Sequence, residues 1–271
     1  MRDKSTNEAS FSNLPDFLVR SQVNGPPTSP FLRWHLRKKF IRIEELFQKY
    51  LSNDCKFADL GCGTGDAVMV ASLVRPHAEL WGLDISLDDL TIAERRMPSA
   101  AFHYGDIQCP EGLPKGYFDA VHEFGAAFLI NDWGRLPKVY FTLLRDGGLL
   151  FWELPRRWSL AHISYLFAVA PKLPGSGSKL KRIFRSFSPW KYHFGSDDEV
   201  TRALNNSGFS YEYLDKVILW HFFCPKAVCY ILDRIWLLTG DSIFDFLDRA
   251  TSIFGIREAG YYLIIRKGSS L

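Results

Sequence analysis

The stretch Phe57-Ala-Asp59-Leu-Gly61-Cys62-Gly63-Thr-Gly65-Asp66 decides how this chain is read. Lys56–Leu60 is a short apolar run that predicts a strand, and Asp66–Val74 carries a helical pattern. Between them stand three glycines at alternate positions. Glycine lets the backbone turn freely and lets a ligand approach it closely. The helix that follows offers oriented N–H groups. A nicotinamide-binding loop calls for glycine at position 66, and this chain has Asp66, whose carboxylate would oppose a pyrophosphate. Asp59 argues the same way, because a carboxylate just ahead of the loop suits a cationic ligand.

Outward from the loop, strands and helices alternate. Glu79–Asp84 predicts a second strand, and Ser86 caps a helix to Arg96 with Asp89 at the capping-box position. Ala101–Tyr104 and Tyr117–Glu123 predict two more strands. Asp132–Leu144 reads as a helix that tolerates Pro137 only near its first turn or with a kink. Gly148–Glu153 follows as a strand. Such alternation means a parallel sheet covered on both faces. The second strand ends in Asp84, where a carboxylate can chelate the two hydroxyls of a ribose. A third acid, Asp106, closes the third strand and could accept from an exocyclic amine. Three acids and a glycine loop at successive strand ends describe a pocket for a cationic nucleoside without phosphates.

This pattern resembles the class I S-adenosylmethionine-dependent methyltransferases, especially the small-molecule group that includes quinone-biosynthesis enzymes. The resemblance is strong over about residues 50–153 and continues weakly to the C-terminus through Leu144-Arg-Asp-Gly-Gly148. It implies a doubly wound α/β fold, a Rossmann-like methyltransferase domain with a seven-stranded, mainly parallel sheet whose last strand is antiparallel. It also implies S-adenosylmethionine as the cofactor. Asp59, Gly61, Gly63 and Gly65 would line its methionine end, Asp84 would hold the ribose, and Asp106 with Ile107 the adenine. Cys62 in the loop and Ile85 after Asp84 complete the expected cofactor-binding set. Glu123, ending the fourth strand, is a candidate for both the cofactor cleft and catalysis, and it alternates with His122, which is read as a packing residue. His193 is the other catalytic candidate, since relatives often carry substrate-facing residues ahead of the helix that Ser196 opens.

The departures from the family narrow the substrate. Where many relatives carry a histidine pair or Glu-His after the fourth strand, this chain has Phe128-Leu129, so no catalytic histidine transfers there. The Asn/Asp-Pro-Pro-Tyr/Phe signature of nucleic-acid amino-methylating enzymes is replaced by Glu123-Phe-Gly-Ala. No Pro-Cys dipeptide offers a cytosine-directed nucleophile. With 33 Lys and Arg against 30 Asp and Glu, the chain also lacks the basic excess of a general nucleic-acid binder. The expected reaction is methyl transfer to a small, lipophilic molecule. A catalytically silent cofactor-binding partner subunit and an NAD(P)-dependent oxidoreductase stay open as alternatives.

Composition bounds the rest. The 271 residues are 47% hydrophobic and 15% aromatic, enough for a full core and incompatible with a disordered or disulfide-held chain. Five cysteines without CxxC spacing argue against a zinc knuckle and for a cytoplasmic protein. The polar N-terminus reads as lacking a secretory signal, and no window is apolar enough for a membrane span. Residues 1–50 are expected as an N-terminal extension and cap helix, with Leu36, Phe40, Ile43, Phe47 and Tyr50 on one stripe. Residues 51–271 form the methyltransferase domain, with a cap insertion at about 155–195 closing over the substrate. The basic faces Arg33–Arg42 and Lys179–Arg185 read as solvated, with peripheral membrane contact as the sharper possibility.

Overall fold

Apolar residues three and four positions apart gather Phe40, Ile43 and Phe47 on the buried side of helix α1 (Pro30–Tyr50). This helix precedes the alternating part of the chain. The computed structural model describes residues 30–155, 157, 193, 195–219, 234–240, 242, 246 and 260–270. In chain order the elements are β1 (Lys56–Leu60), α2 (Asp66–Val74), β2 (Glu79–Asp84), α3 (Leu87–Arg96), β3 (Ala101–Tyr104) and β4 (Phe118–Glu123). Two short 3₁₀ turns, Ala127–Leu129 and Trp133–Arg135, lead into α4 (Leu136–Leu143). Then come β5 (Leu144–Pro155), α5 (Asp197–Asn205), β6 (Phe209–Leu219) and β7 (Gly260–Ser270).

The strands form one seven-stranded sheet in the order β3-β2-β1-β4-β5-β7-β6. β1 to β5 pair in parallel, and β7 runs antiparallel between β5 and β6. The order reverses beside β1, so the switch point falls between β1 and β4, where open α/β sheets bind ligands. Each sheet face carries its own core. Phe57, Ala120, Phe151 and Ile264 pack with α1, α2 and α3 on one side. Leu60, Val121, Leu150 and Trp152 pack with α4 and α5 on the other.

Local signals act where the sequence places them. The Ser86 hydroxyl accepts from the Asp89 amide, capping α3. Ser196 and Glu199 form a reciprocal capping box at α5. Pro137 sits in the first turn of α4, where a missing N–H costs nothing. The expected helix from Asp132 instead starts as a 3₁₀ turn and becomes α-helical at Leu136. β5 runs past its expected end at Glu153 because Leu154 and Pro155 pair with Tyr261 and Gly260 of β7.

The expected cap at 155–195 lies almost wholly outside the described residues. Its two ends meet, however. The Arg157 amide donates to the Gly195 carbonyl at 2.8 Å, and the Arg157 guanidinium pairs with Glu199 at 2.8 Å. Arg157 and Gly195 therefore meet at the start of α5. The basic piece Lys179–Arg185, the aromatic run Trp158–Phe167 and the histidines His162 and His221 also lie outside the described residues.

Candidate functional site

The glycine loop adopts the backbone its sequence demands. Gly61, Gly63 and Gly65 have φ of 75°, 50° and 82°, all in the left-handed region. Gly61 also has a packing reason. A Cβ there would stand 2.6 Å from the Ala126 Cβ, so only glycine lets the loop after β4 close against the loop after β1. At Gly63 nothing lies within 4 Å of that position, which leaves open space over the loop for a ligand.

Asp84 is the brace of this loop. One carboxylate oxygen accepts from the Gly63 amide at 2.7 Å, and the other from the Ser86 amide at 2.8 Å. The carboxylate is part-buried and keeps lone pairs for a diol. Beside it, Ile85 exposes 65% of its surface at the strand end, an apolar face for an aromatic base. Asp106 accepts from the backbone and side chain of Gln108 within its own turn, and Ile107 is buried against the Gly61 side of the loop.

Asp59 is only 3% exposed, and its partner is His122. The two are a register pair across β1 and β4, and His122 Nδ1 donates to Asp59 Oδ1 at 2.6 Å. The sequence reading of His122 as packing is therefore incomplete. It does face away from Glu123, yet that direction is the Asp59 side of the sheet. His122 stacks on Phe124 with nearly parallel rings, 5.9 Å apart.

Glu123 goes the other way. It is fully buried and is not among the residues that line the space around Asp59. Its Oε1 accepts from the amides of Ala126 and Ala127 at 2.7 and 2.8 Å, and thereby shapes the loop that closes on Gly61. Burial pushes its carboxyl up to about 8, against the pull of those two amides, with Glu153 and Asp59 adding to the rise. At neutral pH this acid is largely uncharged.

Further residues join the site that the sequence reading did not assign to it. A cavity of about 200 Å³ over the loop is lined by Asp59, Gly61, Cys62, Asp66, His122 and Phe124, and on its far side by Lys39, Phe40 and Ile43 of α1. Lys39 thus leaves the solvated basic face on which the sequence placed it. Asp66 is held by Arg96 at 2.7 Å, so its charge is balanced and does not by itself repel an anion. The buried Cys62 thiol is pushed far up by desolvation, with Asp59 and Asp84 adding to this, and is no nucleophile. His193 is part-exposed and not in the cavity wall. A wider groove of about 830 Å³ lies between α4 and α5, lined by Trp133, Arg135, Lys138 and Arg202, and holds none of the loop residues.

This arrangement fits a cationic nucleoside carrying an amino-acid tail. It has an acid for an ammonium, a braced acid for a diol, an exposed apolar side chain for a base, and an open loop between them. Among the described residues no cluster of His, Cys, Asp or Glu could hold a metal ion. Comparison with known proteins agrees. Residues 57–148 match a family model described as a methyltransferase domain. The demethylmenaquinone methyltransferase of Thermotoga maritima is 30% identical over 203 residues, spanning 72% of this chain and 84% of that protein. The trans-aconitate 2-methyltransferase of Variovorax paradoxus is 24% identical over 73% of this chain and 72% of its own. In fold, an S-adenosylmethionine-dependent methyltransferase from Mesorhizobium loti superposes with a TM-score of 0.53 at 19% identity, covering 82% of this chain and 96% of that one. The loop, its braces and these similarities together place the chain in the class I S-adenosylmethionine-dependent methyltransferase family.

Proposed function

We propose that the methyl acceptor is a small, largely apolar molecule. The observation that carries this reading is the wall of the cavity over the glycine loop, where Phe40, Ile43 and Phe124 face the cofactor-binding residues. Such a wall can exclude water around a hydrophobic acceptor. The similarity to a demethylmenaquinone methyltransferase supports it. No helix among the described residues is long and apolar enough to cross a membrane.

Bound cofactor supplies an electrophilic methyl group on a sulfonium. The residues of this chain then act by binding and alignment. Asp59, fixed by His122, attracts the amino group of the cofactor. Asp84 takes the ribose hydroxyls, Ile85 and Ile107 take the base, and Asp106 accepts from its amine. Gly61, Cys62, Gly63 and Gly65 supply the surface on which the chain of the cofactor lies. Glu123 acts at one remove, by holding Ala126 and Ala127. A base is needed only when the acceptor arrives protonated, and His193 is the residue we assign to that task.

Transfer of a labelled methyl group from S-adenosylmethionine to fractions of a cell extract tests the acceptor class. Label in the organic-solvent fraction is the expected result. Label confined to nucleic acid, protein or water-soluble acids would overturn the reading. His193→Gln should flatten the pH profile of kcat without changing cofactor affinity, and an unchanged profile would remove His193 from proton transfer.

A further inference from the structure

The Lys39 ammonium sits 3.2 Å from the centroid of the Phe124 ring, in the cavity that Asp59, Gly61, Cys62, Asp66 and His122 also line. Among the described residues it makes no hydrogen bond and no short ion pair. Lys39 lines the cavity with the Phe124 ring against its ammonium. Burial draws it down to about 8, against the pull of the nearby Glu153 and Asp66 carboxylates. A part-buried ammonium with only a ring face against it is poorly compensated. An anion that enters the cavity relieves that cost.

The same small space therefore carries opposite charges on its two sides. Asp59 belongs to the loop side, and Lys39 hangs from α1 on the other. A carboxylate opposite an ammonium is the complement of an α-amino acid zwitterion. We propose that Lys39 is the binding residue for the α-carboxylate of the cofactor, so that α1 completes the cofactor site and selects a cofactor that still carries that carboxylate. The inference rests on the cofactor assignment above, and it gives the Asp59–Lys39 end of the cavity to the cofactor and leaves the Phe40 and Ile43 wall to the acceptor. The Phe124 ring positions the amine, and His122, whose ring lies parallel to Phe124, ties that ring to Asp59. Both ends of the zwitterion are thus read by one connected set of side chains.

Calorimetric titration separates this from other roles of Lys39. The ligands are S-adenosylmethionine, S-adenosylhomocysteine, decarboxylated S-adenosylmethionine and 5′-methylthioadenosine, the last lacking both amine and carboxylate. The wild-type protein should bind S-adenosylmethionine about ten to a hundred times more tightly than its decarboxylated form. Lys39→Met should abolish that preference and leave binding of 5′-methylthioadenosine unchanged, which also shows that the variant is folded. Lys39→Arg should retain most of the preference. Equal wild-type affinity for the two forms would overturn the proposal without recourse to any variant. So would Lys39→Met that keeps cofactor affinity but loses turnover, which would place the amine on the acceptor side. Tighter cofactor binding by Lys39→Met would show a competing cation and overturn it as well. Failure of the wild type to bind any of the four ligands would instead strike the cofactor assignment.

Discussion

His122 Nδ1 and Asp59 Oδ1 lie 2.6 Å apart, on side chains that are essentially inaccessible to solvent. The contact follows from register, because Asp59 and His122 are paired across β1 and β4 and so point to one face of the sheet. A buried carboxylate that must stay charged needs a donor. His122 supplies one without consuming the second oxygen, which remains for the cationic end of the cofactor. The opposite edge of the ring has no partner among the described residues, and Phe47, Phe57, Phe124 and Tyr262 pack around it.

Replacing His122 with Phe preserves this packing and deletes the donor. Asp59 would then be buried without its partner, at a cost of about 1–3 kcal/mol in unfolding free energy. Cofactor affinity should fall by about tenfold as the carboxylate loses its orientation. Urea unfolding and calorimetry measure the two effects separately. Unchanged affinity in a destabilised variant would mean that the β1 backbone alone aims Asp59.

The fold was legible because its signals are local. Gly61–Gly65, the Ser86 and Ser196 caps and the alternating apolar runs each act within a few residues. The positions of Asp59 and Asp84 followed from strand ends for the same reason. His122 was missed because its facing was judged against its neighbour Glu123 and not against its partner across the sheet. The usable signal was parity: Asp59 and His122 each stand one residue before the end of their strand. Lys39 was missed for a different reason. It is one of a basic run on an amphipathic helix, and only the packing of α1 over α2 and the glycine loop distinguishes it from Arg42.

Gly61 tests how tightly the two loops are coupled. Gly61→Ala puts a methyl group 2.6 Å from the Ala126 Cβ at a φ of 75°, so it carries both a clash and backbone strain. A loss of about 2 kcal/mol or more in stability is expected, with cofactor affinity falling by more than tenfold. Adding Ala126→Gly relieves the clash and leaves the strain, so the double variant should recover part of the loss. No recovery at all would assign the effect to φ alone.

Asp84 is asked to hold both protein and ligand. Asp84→Ala frees the Gly63 and Ser86 amides, and should cost about 1–2 kcal/mol in stability and about a hundredfold or more in cofactor affinity. Asp84→Asn keeps one acceptor oxygen, so it should retain more stability than affinity. Affinity that falls only in step with stability across the two variants, measured by calorimetry and thermal unfolding, would show that the carboxylate braces the loop and does not meet the ribose.

Glu123 gives a pH-dependent prediction whose sign is fixed by its burial. Its folded carboxyl titrates at about 8, well above the ordinary value near 4.5, so the native state holds a proton that the unfolded chain has already released. Between those limits stability must fall as pH rises, by up to about 1.4 kcal/mol per pH unit. Glu44, raised to about 7 by burial, acts in the same direction, whereas Lys39, lowered to about 8, adds stability only above that pH. The difference between wild type and Glu123→Gln isolates the one group. Gln retains an oxygen for the Ala126 and Ala127 amides and has no proton to lose, so its stability should fall less steeply from pH 5 to 8. Urea unfolding of both proteins across that range measures it. Parallel curves would mean that the buried carboxyl ionises like an exposed one, and the neutral acid beneath the Gly61–Ala126 contact would then have to be abandoned.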